Sequence, residues 1–86
     1  MATMLITHEV DDAQQWLASP NRAKFFGSLG YTVRTFVDPT NDQRVGLIVE
    51  GPGLDPLVQA VQTPEGAAAL KDDGVRPHTI QTYVEA

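Results

Sequence analysis

The sequence predicts an α+β fold of order β-α-β-β-α-β, and three observations carry that prediction. Residues 3–9, 31–37, 45–49 and 78–84 are short runs rich in β-branched and aromatic residues, the composition of strands. Segments with helical start and stop signals separate the first strand from the second and the third from the fourth. The middle two strands are joined by Asp38-Pro39-Thr40-Asn41-Asp42, which is turn chemistry and makes them a hairpin. This is the split βαβ arrangement. Right-handed crossovers then place the strands of one antiparallel sheet in the spatial order 4-1-3-2, with the helices on one face.

The helical segments follow from their caps. Asp11 reads as an N-cap with Gln14 in capping-box spacing, and Ala13, Trp16 and Leu17 share a face. Ser19-Pro20 interrupts and restarts the helix, since Pro lacks a donor yet suits a first helical position. Ala23, Phe26 and Leu29 are expected inward, with Gly30 as a left-handed stop. After the Gly51-Pro52-Gly53 break, Asp55-Pro56 repeats the start signal. Leu54, Leu57, Val58 and Val61 then form an amphipathic stripe. Thr63-Pro64-Glu65 opens a further helix and Gly74 ends it. No linker divides the chain, so residues 1–86 are expected to form one domain.

Composition narrows function mainly by exclusion. Six Lys and Arg against eleven Asp and Glu give a net charge of -5, and the basic residues are scattered. Such a surface repels phosphate backbones and anionic lipid, so neither nucleic acid nor membrane is expected as a partner. Cysteine is absent, which removes disulfides and thiolate chemistry. The N-terminal MATMLITHEV has no basic start before a long apolar run, and a cytoplasmic location is the expectation.

The helices cover only one face of the sheet, so the other face matters. Alternation puts Val45, Leu47 and Val49 under the helices together with Tyr31, Val33, Thr35 and Val37. Phe36 and Ile48 then lie on the uncovered face beside Arg34 and Tyr83. An apolar patch mixed with polar groups marks an interface or cleft. A small domain gains apolar burial by pairing, so a homodimer with a cavity between its stacked sheets is expected.

Three runs in order also resemble a known superfamily. HEVDDAQQWL at 8–17, DPTNDQRVGLIVE at 38–50 and TPEGAAALKDDGV at 63–75 are similar to the opening, central hairpin and second-helix ending of dimeric α+β barrel proteins. That superfamily includes cofactor-free antibiotic-biosynthesis monooxygenases, muconolactone isomerases, polyketide cyclases and haem-degrading enzymes. The resemblance implies a ferredoxin-like fold, dimerisation and chemistry without a cofactor. The haem-degrading members rely on a His and a Trp in the second half of the chain, and no Trp follows Trp16 here. The monooxygenases place Asn and Trp around their cavity, whereas Asn21 and Asn41 fall at a helix start and a turn.

His8 is the candidate catalytic base, because imidazole titrates near neutrality. The bland alternative is a hydrogen bond at a strand end. Arg34 and Tyr83 are candidate stabilisers of a developing oxyanion, or else inter-subunit contacts, with Arg34 pairing to Glu50. Phe36, Ile48 and Glu50 complete the expected ligand-binding surface. His78 is expected near His8, but no metal-ligand spacing supports a metal site. Trp16, Phe25 and Phe26 read as core, and Ser19 and Ser28 lie outside any nucleophile motif. Asp72-Asp73 stands at the end of a helix whose dipole it opposes, with no sequence-level reason. The leading expectation is a homodimer holding a small, partly apolar ligand for cofactor-free monooxygenase, isomerase or cyclase chemistry. The alternative is a non-catalytic module whose sheet face serves only association.

Overall fold

The computed structural model describes residues 2–86. Its elements run β1 (Ala2–Val10), α1 (Ala13–Ala18), α2 (Asn21–Ser28), β2 (Thr32–Val37), β3 (Arg44–Gly51), α3 (Leu54–Val61), α4 (Pro64–Asp72) and β4 (Val75–Val84). The four strands form one antiparallel sheet in the order β2-β3-β1-β4, the expected order read from the opposite edge. This is a ferredoxin-like α+β fold, with each expected helical region built from two short helices.

The caps explain where the helices begin. Asp12, not Asp11, is the N-cap of α1, since its carboxylate accepts from the Gln14 backbone N–H at 2.9 Å. Asp11 instead faces β4 and takes the Arg76 Nε–H at 3.2 Å. Ser19 Oγ accepts from the Asn21 N–H, so the Ser-Pro restart of α2 holds. Thr63 caps α4 through Gly66 N–H, with Pro64 in the first turn. Gly30 and Gly74 take the left-handed conformation at the two stops, φ 86° and 71°.

Burial follows the period of β1. Met4, Ile6, His8 and Val10 point under the helices, while Leu5, Thr7 and Glu9 point to the uncovered face. Val45, Leu47 and Val49 join the core from β3 and Val75 from β4, with Trp16, Phe26 and Leu57 from the helices and Tyr31 from just before β2. One inward expectation fails, since Ala23 is exposed; Leu17, placed on one helical face with Trp16, is 38% exposed. Thr35 and Val37 are also exposed, because the helices do not reach the far end of β2.

β4 starts earlier than expected, at Val75, and carries Pro77 inside a bulge. Between the pairs Thr7–Gln81 and Glu9–Arg76, β1 advances two residues and β4 five. The bulge leaves the Glu9 N–H without a strand partner, and Thr79 supplies one. Its hydroxyl accepts from Glu9 N at 2.8 Å and donates to the Arg76 carbonyl at 2.6 Å.

Candidate functional site

A half-open cavity of about 140 Å³ lies between the helices and the covered face of the sheet. Its floor is Ile6 and His8 of β1, Leu47 of β3, and Ile80 and Thr82 of β4. Its roof comes from Leu54, Leu57, Val58 and Val61 of α3 and from Ala69 and Leu70 of α4. The amphipathic stripe read from the sequence is therefore this roof, and Val58 is partly exposed because it borders the cavity. Cavities of about 150 Å³ with aliphatic and aromatic walls accept a benzene-sized ring.

One end of the cavity is polar. His8 is only 7% exposed and meets the Trp16 ring edge-to-face, centroids 5.7 Å apart. Its Nδ1 lies 3.4 Å from the Glu9 carbonyl oxygen. A carbonyl only accepts, so a hydrogen bond at this contact requires the proton on Nδ1, the tautomer that leaves the Nε2 lone pair open. Burial lowers the His8 pKa below 6.5; the Glu9 carbonyl opposes this and the nearby Arg22 charge adds to it. The imidazole is thus neutral at pH 7 and able to accept a proton.

Arg22 lies over the Trp16 indole, its guanidinium carbon 3.9 Å from the ring centroid. It donates to the carbonyls of Trp16 and, at 3.4 Å, Leu17. These bonds tie α2 to the end of α1, where Pro20 offers no N–H to the Trp16 carbonyl and the Ser19 N–H reaches it instead at 3.3 Å. Beside it, Asn21 Nδ2 donates to Asp73 Oδ1 at 3.1 Å. Asn21, Arg22 and Asp73 all border the cavity.

The sequence-derived residues divide between the two faces. Arg34, Ile48, Leu5 and Tyr83 form one row across the uncovered face, by direct cross-strand pairing. Phe36 and Glu50 belong to the neighbouring rows of the same face. His8 is on the opposite face, so one chain does not bring it to Arg34 or Tyr83. Those two also stand on the outer strands, three strand spacings or about 14 Å apart. Arg34 pairs across to Ile48, and the ion pairs among the described residues are Arg76–Glu9 and Arg76–Asp11 rather than Arg34–Glu50. His78 is exposed and borders a separate depression on the α4 side, and no metal-binding cluster occurs among the described residues. Trp16 and Phe25 serve both the core and the cavity wall.

Sequence reasoning missed Asn21, Arg22 and Asp73. Their signal was faint: an Asn-Arg pair after a helix restart, and a carboxylate against a helix dipole. No helix among the described residues is long and apolar enough to cross a membrane.

No protein-family model matches the chain, and no curated protein matches it. Solved structures do match over nearly its whole length. A crystal structure of an antibiotic biosynthesis monooxygenase superposes with TM-score 0.64 at 12% identity, covering 100% of this chain and 97% of that one. SnoaB, a cofactor-independent oxygenase from Streptomyces nogalater, gives 0.69 at 16% identity, covering 99% and 90%. A Dabb family protein with a ferredoxin-like fold from Mesorhizobium loti gives 0.56 at 13%, covering 100% and 97%. At these identities the likeness establishes the fold alone, a ferredoxin-like α+β fold.

Proposed function

We propose that the chain is a cofactor-free enzyme that takes a proton from a small, partly apolar ring compound, and that it works as a homodimer. The observation that carries this reading is a buried imidazole, its pKa lowered by that burial, in the wall of a ring-sized apolar cavity. Nε2 of His8 accepts a proton from an acidic C–H or O–H of the ligand, leaving an enolate or phenolate in the cavity. Return of the proton to another carbon completes an isomerisation; electron transfer from the anion to dioxygen begins an oxygenation. Trp16 and Asn21 border the cavity beside His8, with Asn21 hydrogen-bonded to Asp73. The ligand therefore belongs between helices and sheet, not between two sheets.

The uncovered face takes the other role. Leu5, Phe36 and Tyr83 are exposed there around Ile48, an apolar patch suited to a second copy. Arg34 and Tyr83 then serve as inter-subunit contacts. Sedimentation should give twice the 9.3 kDa mass of the chain, and Phe36→Glu should give the monomer.

Proton exchange tests the chemistry. Small cyclic ketones and phenols in D₂O should incorporate deuterium next to the carbonyl or on the ring faster with the protein than without. An oxygen electrode detects the oxygenase branch in parallel. His8→Ala should lose about 10²-fold or more of this rate, the usual worth of a general base. Full activity in His8→Ala overturns the assignment. A wild-type protein that binds ring compounds but exchanges no proton and consumes no oxygen is the non-catalytic module.

A further inference from the structure

The acidic residues at the end of α4 acquire a role at the polar end of the cavity. Asp72 is exposed, but Asp73 is 6% exposed and borders the cavity. Its carboxylate is held against the negative end of the helix dipole and largely buried, two unfavourable conditions for the fold. Among the described residues it receives one side-chain hydrogen bond, from Asn21 to Oδ1, whereas a carboxylate has room for about four.

Arg22 is under-satisfied in the complementary sense. Its Nε is buried with no acceptor among the described residues, and its bond to Leu17 is long at 3.4 Å. The charge of Asp73 reaches Arg22, yet the two make no direct ion pair. A cation and an anion thus border one cavity, each short of partners and with a gap between them.

The gap selects by chemistry. A ligand carboxylate meets Asp73, an ammonium meets Arg22, and a hydrocarbon leaves both unpaired. A hydroxyl satisfies both, with its oxygen accepting and its hydrogen donating. We propose that Asp73, Arg22 and Asn21 form a specificity site for a neutral hydroxyl on a small ring, with Arg22 donating to the oxygen and Asp73 accepting the hydrogen. Asn21 holds the carboxylate in place. The inference rests on the cavity being the ligand site, and it adds a rule for which ligands enter.

Titration of ¹⁵N-labelled protein at pH 7 with toluene, phenol and benzoate tests both parts separately. Phenol should bind about tenfold or more tightly than toluene, because sites built for a hydroxyl reject analogues lacking it. Benzoate should bind weakest of the three. Asp73→Asn should abolish the discrimination against benzoate, and its own spectrum reports whether it is folded. Should that variant unfold, the wild-type ranking decides alone. Toluene binding as well as phenol, or benzoate matching phenol, overturns the hydroxyl site and leaves the cavity reading intact. Failure of all three to bind overturns the cavity reading and the inference with it.

Discussion

Replacing Gly66 by alanine should destabilise the protein, while the same change at Gly27 should stabilise it. Both glycines lie inside helices, so both substitutions relieve the entropic cost of Gly by about 0.5–1 kcal/mol. They differ in what the new methyl meets. At Gly27 nothing lies within 4 Å of the point where a Cβ would stand, and the residue is exposed. At Gly66 the methyl would stand 2.3 Å from the Ala60 carbonyl oxygen and 2.8 Å from Val61 Cα. Those atoms are backbone, so no rotamer change relieves the contact, and α4 must move away from α3. Overpacking of this kind costs about 1–3 kcal/mol or more, which outweighs the propensity gain. The expected net loss is about 1–2 kcal/mol, or roughly 4–16 °C in Tm for a domain this size. Gly27→Ala should gain about 0.5 kcal/mol, the low end because it lies near the end of α2. Urea unfolding of the two variants beside the parent measures both. A Gly66→Ala protein as stable as the parent would refute the close α3–α4 contact that shapes the roof of the cavity.

The His8 pKa is lower folded than unfolded, so the unfolded state binds more protons as pH falls below 6.5. Stability should therefore decline from that point down to the folded pKa, by at most about 1.4 kcal/mol per pH unit. His8→Leu should lack this component; an equal slope in that variant, or an imidazole titrating at 6.5 by NMR, contradicts it. Tyr31 donates its hydroxyl to the Gly53 carbonyl while its ring is buried, so Tyr31→Phe should cost about 1 kcal/mol in chemical denaturation. An unchanged midpoint would mean that the bond contributes nothing. Asp12→Ala should cost about 1 kcal/mol as a lost N-cap, whereas Asp11→Ala, at a surface ion pair, should cost about 0.5 kcal/mol or less. The reverse order would restore Asp11 as the cap.

Strand alternation was legible where neighbours are regular. β2 and β3 pair without interruption, so the sides of Arg34, Phe36 and Ile48 follow from the pattern alone. Tyr83 also lies on the expected face, although β4 is irregular. The start of β4 was hidden because Pro77 reads as a boundary, yet the bulge accommodates it. Asp11 and Asp12 are equally good caps in sequence, and the choice depends on Arg76, which arrives from the far end of the chain. His8 was recognisable as a candidate, but its setting was not. Trp16, Arg22 and Asp73 converge on the cavity from three helical segments, and no local spacing encodes that meeting. Asp73 left one trace, its conflict with the helix dipole.

The extra length of β4 has a bearing on which insertions and deletions this chain tolerates. Three surplus residues is an odd number, so the strand's inward set changes from odd-numbered Val75 to even-numbered Ile80 and Thr82. Tyr83 is thereby delivered to the open face and Ile80 to the cavity floor. Lengthening or shortening the segment 77–80 by two residues preserves both deliveries. With the bulge kept at three surplus residues, a change of one residue exchanges them, placing the phenol of Tyr83 among the apolar walls and Ile80 outside. Length variation at this point is therefore expected in steps of two.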